Sequence, residues 1–347
     1  MARALVLGAT GHIGAHVVRA LLAEGHEVRA AYRNERFLFV LEGLPLERVR
    51  VDLESLEGLP QALKGCAWVF HAGGYYPRFR ERRDRVFTTA VESTRRVFEQ
   101  IRRAVPERVV FTSSSATIRR VAGRAATEMD ALPWPLPAPR PASMLRSSAR
   151  QAGLEGWHSL YTTAKVAMEQ EALRAHEAGV PVVIVNPSIC IGEYDAHQFS
   201  GRLVLAFAKY RLPWYLDRCF NVVYTGDVGV GHLRAAQRGR LGERYLLTGC
   251  DVSAKDFAGL VAAALGAQPP RWQLPHGVAV AASVVSECAA WLTRTDPLLP
   301  RQIVRGSRLD QRLDGSKALR ELSLPQTPLD ETVRRALVWF RQHGYLK

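Results

Sequence analysis

Near its amino terminus the chain reads Ala4-Leu5-Val6-Leu7-Gly8-Ala9-Thr10-Gly11-His12-Ile13-Gly14. The four apolar residues predict a buried strand, and the glycines predict a tight turn that opens a helix. Glycine has no Cβ atom, so a diphosphate can approach the backbone, and the helix directs its free N–H groups and its dipole toward that charge. The G-x-x-G-x-x-G spacing therefore predicts a dinucleotide-binding turn, and a plain βα turn is the alternative. The candidate cofactor-binding residues in this stretch are Gly8, Thr10, Gly11, His12, Ile13 and Gly14.

The end of the second predicted strand, Glu27–Tyr32, bears on which dinucleotide is bound. The adenosine ribose lies at this point in dinucleotide-binding folds, and an acidic residue there binds its 2′-hydroxyl and favours NAD. This chain has Arg33 at that position and Arg36 close behind it. A guanidinium suits a 2′-phosphate, so we predict NADP as the preferred cofactor, with NAD as the alternative. A solvated arginine without this role is the other interpretation, because the chain is rich in arginine.

The composition is typical of a globular protein with a sizeable core, since 47% of the 347 residues are hydrophobic. The five cysteines are far apart in the sequence and form no C-x-x-C pair, so we predict neither a disulfide framework nor a metal site. Reduced cysteines and the lack of a recognisable secretory signal together favour a cytoplasmic location.

The charge and the longest apolar stretch bear on the partners. A formal net charge of +14 attracts anionic ligands, including the phosphates of a dinucleotide. No nucleic-acid recognition motif accompanies the charge, so we expect no nucleic-acid partner and interpret the arginines as solvated helix faces. The stretch 278–292 is too short to span a bilayer comfortably and contains Glu287. It predicts a buried helix, and we expect no membrane partner.

Strand-like apolar runs alternate with helical patterns as far as residue 186. This alternation predicts βαβ units and an α/β fold with a doubly wound parallel sheet. We expect residues 1–187 to form a dinucleotide-binding domain and residues 188–347 to form mainly a smaller α+β lobe that binds the substrate. A proline-rich loop at 131–141 interrupts the first domain, either as a binding loop or as a surface excursion. The predicted strands lie at 4–7, 27–32, 48–51, 67–71, 108–112 and 182–186, and the predicted helices at 12–24, 55–64, 84–104, 159–178, 254–265 and 329–343.

Two further patterns supply candidate catalytic groups. Tyr161 and Lys165 lie four residues apart on a predicted helix, so their side chains share one face. A cation near a phenol favours its ionised form, so we expect Lys165 to lower the pKa of Tyr161 from its usual value of about 10. The strand at 108–112 ends in three serines at 113–115, whose hydroxyls are placed to hold a carbonyl or an alcohol against the tyrosine. A solvated Tyr–Lys pair and a hydroxyl-closed turn are the structural alternatives.

Together these motifs resemble those of the extended short-chain dehydrogenase/reductase family, which includes nucleotide-sugar epimerases and dehydratases. The likeness covers almost the whole chain and is strongest to dihydroflavonol reductase-like proteins and hopanoid-associated sugar epimerases. The resemblance implies a Rossmann fold and a homodimer paired through the helices near 84–104 and 157–178. Its catalytic serine matches Ser114, with Ser115 in reserve, and its tyrosine and lysine match Tyr161 and Lys165.

The resemblance also implies further cofactor contacts. Asp52 and Leu53 look like the family's adenine-binding segment at the end of the third strand, and 72–73 looks like the small-residue turn beside the cofactor. The segment 186–188 resembles the one that passes the nicotinamide, and the lysine is implied to hold the nicotinamide ribose. The residues implied in this way are Asp52, Leu53, Ala72, Gly73, Lys165, Asn186, Pro187 and Ser188.

The favoured function is NAD(P)-dependent hydride transfer that reduces a ketone, or oxidises a secondary alcohol, of a small-molecule substrate. Tyr161 is the expected proton donor, and Ser114 is expected to orient the carbonyl. One alternative is a nucleotide-sugar epimerase or dehydratase with tightly bound NAD, and another is a non-catalytic redox sensor that binds NADP. Four aromatic residues are candidates for the wall of a substrate pocket: Trp134, Trp157, Trp214 and Tyr215.

Overall fold

The computed structural model describes residues 1–77, 81–136, 159–210, 213–295, 297, 299–307 and 312–346. Trp157 and residues 137–141 of the proline-rich loop lie outside these ranges. Twelve strands are present in the described residues: β1 (Arg3–Leu7), β2 (Glu27–Tyr32), β3 (Glu47–Arg50), β4 (Trp68–His71), β5 (Arg108–Thr112), β6 (Val182–Pro187), β7 (Ile189–Ile191), β8 (Trp214–Tyr215), β9 (Cys219–Tyr224), β10 (Arg244–Leu247), β11 (Cys250–Ser253) and β12 (Trp272–Gln273).

The main sheet has seven strands in the order β10-β6-β5-β4-β1-β2-β3, and all neighbours are parallel. The chain builds β1, β2 and β3 toward one edge and then crosses over to β4 on the other side of β1. This reversal creates a crevice at the carboxyl ends of β1 and β4, where open parallel sheets bind their ligands. The predicted doubly wound parallel sheet is therefore confirmed.

Helices cover both faces of the main sheet. α1 packs against α6 on one face, and α3 packs against α4 on the other. The helices are α1 (His12–Ala23), α2 (Leu59–Leu63), α3 (Arg83–Ala104), α4 (Leu160–Glu177), α5 (Arg202–Tyr210), α6 (Thr225–Arg238), α7 (Ala254–Ala264), α8 (His276–Thr293), α9 (Arg301–Gly306), α10 (Ser316–Leu322) and α11 (Leu329–Gln342).

Strand β1 lies inside the main sheet, between β4 and β2, and contributes side chains to the cores on both faces of the sheet. Ala4 and Val6 belong to the core under α1 and α6, whereas Leu5 and Leu7 belong to the core under α3 and α4. All four side chains are fully buried. A strand with helices on both faces reads as a continuous apolar run because neither face meets water.

The chain beyond residue 187 forms two smaller sheets, in the orders β11-β9-β7 and β12-β8. It also returns to the main sheet, because β10 pairs with β6 from Arg244 opposite Ile184 to Leu247 opposite Pro187. The division of the chain into a dinucleotide-binding domain and a substrate lobe at residue 187 stays a prediction. The structure adds that the later part supplies the seventh strand of the first unit.

Helix α8 departs from the sequence prediction. The stretch 278–292 forms a helix as expected, but only 17% of α8 is buried, so the prediction of a buried helix is wrong. Its inward positions are Ala279, Ser283 and Ala290, which lie on one narrow face. The neighbour that packs most against it is the short helix α9. In the described part of the chain, α8 alone is long and apolar enough to cross a membrane by length and composition.

Candidate active site

The glycine-rich turn after β1 accepts no larger residue at two of its positions. Gly8 has a φ of +78°, and a Cβ atom there would lie 2.7 Å from the Cα atom of Gly73 in the turn after β4. A Cβ atom on Gly14 would lie 2.1 Å from the carbonyl oxygen of Gly8. The turn is closed by the N–H of Gly11, which donates to that same oxygen at 2.9 Å. The two glycine turns therefore approach each other more closely than side chains would allow.

Helix α1 begins directly at this turn. Its N-cap is Gly11, and no side chain caps the helix with a hydrogen bond. The first-turn N–H groups and the positive end of the helix dipole are therefore directed at a ligand rather than at a capping oxygen. Because the first turn also contains no acidic residue, nothing in it repels an anion.

A cavity of about 990 Å³ opens in front of the turn and gathers most of the predicted site. The hydroxyl of Ser188 is buried without a hydrogen-bond partner and belongs to a residue of this wall. The glycine cradle and this orphaned hydroxyl both fit a dinucleotide. The predicted residues that line the cavity are Gly8, Thr10, Gly11, His12, Ile13, Gly14, Arg33, Leu53, Ala72, Gly73, Ser114, Tyr161, Pro187 and Ser188.

Two of the other predicted cofactor contacts, Asp52 and Arg36, do not line the main cavity. Asp52 lines a smaller hollow of about 320 Å³ together with Arg33. Its carboxylate accepts hydrogen bonds from the N–H groups of Glu54, at 2.7 Å, and Ser55, at 3.3 Å, so it stabilises the turn after β3. Arg36 is exposed, and its guanidinium lies 5.7 Å from the ring centre of Phe37.

Asn186 lies behind the cavity wall. It is fully buried, and its Nδ2 atom donates to the carbonyl oxygen of Ser114 at 3.3 Å and to the hydroxyl of Thr117 at 3.0 Å. In this position it supports the backbone of Ser114. Its neighbours Pro187 and Ser188 reach the cavity instead.

The three catalytic candidates lie close together: Ser114 and Tyr161 line the cavity, whereas Lys165 is buried and is not one of its lining residues. Ser114 ends the segment after β5, and its hydroxyl hydrogen-bonds to Tyr161 at the start of α4. One turn further along α4, the Lys165 Nζ atom lies 5.9 Å from the centre of the Tyr161 ring. Ser115 is buried and does not line the cavity. The structure thus brings Ser114, and not the reserve Ser115, to the tyrosine.

The pKa of the tyrosine differs from the sequence expectation. Burial raises the pKa of Tyr161 to about 12, and the hydrogen bond from Ser114 only partly opposes this effect. Burial also lowers the pKa of Lys165 to about 8, while the nearby Glu169 carboxylate works in the opposite direction. The expectation that Lys165 lowers the tyrosine pKa is therefore wrong, because desolvation of the buried phenol is the largest effect on it.

Glu169 is a site residue that the sequence analysis missed. It lies one turn after Lys165 on α4, is 3% exposed, and forms an ion pair of 2.6 Å with the Arg244 Nε atom on β10. It also accepts hydrogen bonds from Ser113 and, at 2.7 Å, from Asn186. The cluster fixes the carboxyl ends of β5 and β6 behind the lysine. A detectable signal was the acidic residue four positions beyond Lys165, directly after the apolar run Val166-Ala167-Met168.

The aromatic wall of the cavity also differs from the expectation. Tyr76 stacks on Tyr161 with ring centres 5.9 Å apart, and Phe199 contacts both rings. Trp134, Trp214 and Tyr215 do not line the cavity; Trp134 instead stacks on Phe87 of α3. Tyr76 and Phe199 lie in segments without regular secondary structure, so no periodic pattern identified them.

No group of three or more His, Cys, Asp or Glu side chains that would hold a metal ion is found within the described ranges.

The site combines a glycine-rich turn that fits a diphosphate, a buried phenol with a hydroxyl partner and a nearby ammonium. A doubly wound sheet with this site defines a nicotinamide-dinucleotide-dependent enzyme of the extended short-chain dehydrogenase/reductase type.

Comparison with known proteins gives the family. Residues 4–246 match the NAD dependent epimerase/dehydratase family, and the chain belongs to it. The chain is 31% identical to a candidate dihydroflavonol 4-reductase of Synechocystis sp., over 99% of this chain and 95% of the relative. It is 30% identical to sterol demethylase protein B of Methylococcus capsulatus, over 99% of both chains. A solved nucleoside-diphosphate-sugar epimerase from Pseudomonas aeruginosa is 28% identical, with a TM-score of 0.76 over 100% of this chain and 99% of that one.

Proposed function

We propose that the protein is a reductase that prefers NADP and converts a ketone of an apolar small molecule to a secondary alcohol, with Tyr161 as the general acid. The observation that carries the proposal is the buried phenol of Tyr161, which is hydrogen-bonded to Ser114 inside the cavity that contains the glycine-rich turn. A phenol with a pKa of about 12 holds its proton at neutral pH. That is the protonation state a general acid needs.

Each catalytic side chain has a role that follows from its position. When bound, the dinucleotide supplies the hydride. Ser114 orients the substrate carbonyl toward the phenol, and Tyr161 donates its proton to the oxygen as negative charge develops there. Lys165 is mostly protonated at neutral pH, since its pKa is about 8, and its ammonium stabilises the phenolate left after proton transfer. The lysine therefore acts on the product of the proton transfer more than on the resting tyrosine.

Two features support the cofactor preference and the substrate class. Arg33 follows β2, is exposed, and lines both the main cavity and the smaller hollow, where a guanidinium can bind a 2′-phosphate. The rings of Tyr76 and Phe199 present an apolar wall next to the Tyr161 ring. An apolar or aromatic ketone buries more surface against this wall than a sugar does.

The test of the catalytic role is Tyr161→Phe, with Tyr76→Phe as the matched control. Both variants lose one hydroxyl from stacked rings in the same cavity. We expect Tyr161→Phe to lose at least about 100-fold in kcat on ketones such as a dihydroflavonol or a sterol-derived ketone, since general acid catalysis contributes 10²–10⁴-fold. The control should retain kcat within a few-fold. Near-normal turnover by Tyr161→Phe would contradict the assignment.

Titrations with NADPH and with NADH complete this test. Wild type and Tyr161→Phe should bind NADPH equally, because the phenol lies at the reactive end of the site and not at the diphosphate. NADPH should bind more tightly than NADH by about tenfold, the value of one charge-assisted contact of about 1.4 kcal/mol. Equal or tighter binding of NADH would show that Arg33 does not select the cofactor.

A pair of arginines favours a second candidate function, a nucleotide-sugar epimerase. Arg120 and Arg218 are partly buried. Burial lowers the pKa of Arg120 to about 10; the Asp251 carboxylate opposes this effect, and the charge of Arg218 adds to it. Burial also lowers the pKa of Arg218. The Arg218 Nε atom is buried without a hydrogen-bond partner. The Arg120 Nη1 atom already donates to the carbonyl oxygens of Ser115 and Ile118, both at 3.1 Å, so the unpaired Arg218 Nε atom is the group that a phosphate would bind. The relative from Pseudomonas aeruginosa is named as a nucleoside-diphosphate-sugar epimerase.

The state of the cofactor after purification separates the two functions. An epimerase oxidises and then re-reduces one substrate, so it retains its dinucleotide. Stoichiometric NAD that survives gel filtration, together with interconversion of a UDP-sugar, would favour the epimerase. Free exchange of NADPH and net consumption of NADPH with a ketone would favour the reductase.

A further inference from the structure

Helix α8 presents an apolar surface that no described element covers. Its 18 residues contain one charged side chain, Glu287, and the helix has a mean hydropathy of 1.2. Two of its side chains, Val285 and Leu292, are 68% and 74% exposed. The exposed large apolar side chains of α8 are Val278, Val280, Val284, Val285, Trp291 and Leu292. Monomeric soluble proteins rarely expose large apolar patches, and such patches mark sites of interaction with proteins, membranes or ligands.

Glu287, which carries the single charge of α8, is held in an ion pair. The Glu287 carboxylate pairs with the side chain of Arg301 at the start of α9, and it also accepts the Arg301 backbone N–H at 2.8 Å. The carboxylate therefore contributes to the packing of α9 against α8. What remains outward is a helical surface of Val, Ala, Cys, Trp, Leu and Thr side chains without a charge.

The connections of the α8–α9 unit decide how it can meet a bilayer. The chain enters α8 from β12, whose Trp272 pairs with Trp214 of β8. After α9 it returns to the same body, where Leu313 bridges Ala126. Both ends are thus anchored on one side, so α8 cannot cross a bilayer with folded protein on the two sides. A helix whose two ends are held on one side of a bilayer can still lie in the plane of the interface. At 1.5 Å per residue, α8 would extend about 27 Å along that plane.

The residues around the apolar surface match the headgroup region of an anionic membrane. Arg271 and Arg294 flank the two ends of α8 and are exposed. Trp272 and Trp291 are 63% and 65% exposed, one before the helix and one in its last turn. Tryptophan favours the boundary between headgroups and acyl chains, and arginine is attracted to anionic lipids. The net charge of +14 adds a general attraction to such a surface.

We propose that α8 docks the protein on an anionic membrane surface, with its apolar side buried among the acyl chains and the flanking arginines at the headgroups. This inference is independent of the proposed reductase activity, and it reverses the expectation of no membrane partner. The occupant of the apolar surface is a lipid bilayer. A second copy of the chain is the competing occupant, and it lacks the charge complementarity, since like arginines would meet across the two-fold axis.

Flotation of the full-length protein with lipid vesicles tests this inference. One set of vesicles contains phosphatidylcholine with phosphatidylglycerol, and the other contains phosphatidylcholine alone. The test variant is Val285→Glu/Leu292→Glu on α8. The control is Leu319→Glu/Val338→Glu, which makes the same change of charge at two exposed apolar positions on α10 and α11.

The expected result is that wild type and control float with the anionic vesicles, more weakly at high salt, and that the α8 variant loses at least about tenfold in partitioning. Failure of the wild type to float would overturn the proposal. Equal loss by variant and control would also overturn it. A wild-type dimer that the α8 variant converts to a monomer, without vesicle binding, would assign the surface to a second copy.

A measurement without charged substitutions covers the case in which the α8 variant does not fold. Lipids brominated near the headgroup quench the fluorescence of tryptophans that contact them. Quenching of the wild type should fall in Trp272→Phe/Trp291→Phe and persist in Trp68→Phe, a tryptophan of β4. Quenching that is absent, or equal in all three proteins, would contradict docking through α8.

Discussion

Strand β1 and helix α8 are both apolar stretches, yet one is fully buried and the other is mostly exposed. Residues 4–7 have no exposed side-chain surface, whereas only 17% of α8 is buried. The difference lies in what surrounds each element. β1 has a strand on each side and helices on both faces, but α8 packs mainly against the short α9. An apolar sequence shows only that burial of an element would be favourable. The neighbouring elements decide whether its side chains form a core or stay exposed, where they can bind a partner.

The largest expected effect contrasts a glycine in the helix that follows β1 with a glycine in α8. Gly14 lies in the first turn of α1, where a Cβ atom would be 2.1 Å from the Gly8 carbonyl oxygen. Gly277 lies in the first turn of α8, where an added Cβ atom would meet no other part of the structure within 4 Å. We expect Gly14→Ala to raise the Kd for NADPH at least about 1,000-fold, or about 4 kcal/mol. Gly277→Ala should leave both NADPH binding and thermal unfolding nearly unchanged.

Isothermal titration of the two alanine variants with NADPH provides the measurement. If Gly14→Ala bound NADPH as wild type does, the close approach of the turn to the start of α1 would not be required. The diphosphate cradle would then lie elsewhere.

The next effect compares truncations in the two apolar regions. Leu5→Ala removes a fully buried side chain from β1 and leaves a cavity, so the free energy of unfolding should fall by about 3 kcal/mol. Val285→Ala removes a side chain that is 68% exposed on α8, and the change should stay within about 0.5 kcal/mol. Denaturant unfolding of the two variants measures the contrast. Comparable losses would mean that α8 is covered in solution.

A smaller effect, which depends on pH, comes from the buried ammonium of Lys165. Its pKa falls from 10.5 to about 8 because burial disfavours the charge, so the unfolded chain binds more protons between these values. The wild type therefore gains stability as pH rises through this window, and below pH 8 the penalty is fully present. Lys165→Met should be more stable than wild type at pH 7 by about 1–3 kcal/mol, and it should be inactive.

Thermal unfolding of the wild type and Lys165→Met from pH 7 to pH 10 measures this difference. The gain in Tm should shrink as pH rises. A variant that is less stable than wild type at pH 7 would show that the lysine is a net stabilising group.

Much of the fold, and the grouping of most candidate site residues, could be predicted from local patterns. The strand 4–7 and the turn after it are contiguous in the sequence, so their order alone predicted the glycine-rich turn, whose role in binding a diphosphate stays a prediction. Tyr161 and Lys165 share one face of α4. Ser114 follows β5, and α4 is the helix that connects β5 to its parallel neighbour β6. This connection brings the three residues close together. The homodimer and the cytoplasmic location stay predictions.

What the sequence could not predict depends on long-range packing. Glu169 matters because Arg244, Ser113 and Asn186 reach it from three other segments of the chain. The raised pKa of Tyr161 arises from burial of the phenol, and the spacing of Tyr161 and Lys165 in the sequence gives no information on burial. The exposure of α8 could not be predicted because an apolar run gives no account of the neighbours that cover it or leave it uncovered.

In the proposed function, the glycine-rich turn and the Tyr161 phenol bind one nicotinamide dinucleotide. A crystal structure of the protein with NADPH would show whether they do. We expect the diphosphate at the start of α1, the 2′-phosphate at Arg33, and the nicotinamide ring beside Tyr161 and Ser114. A diphosphate bound away from Gly8 and Gly14, or a nicotinamide ring turned away from the phenol, would contradict it.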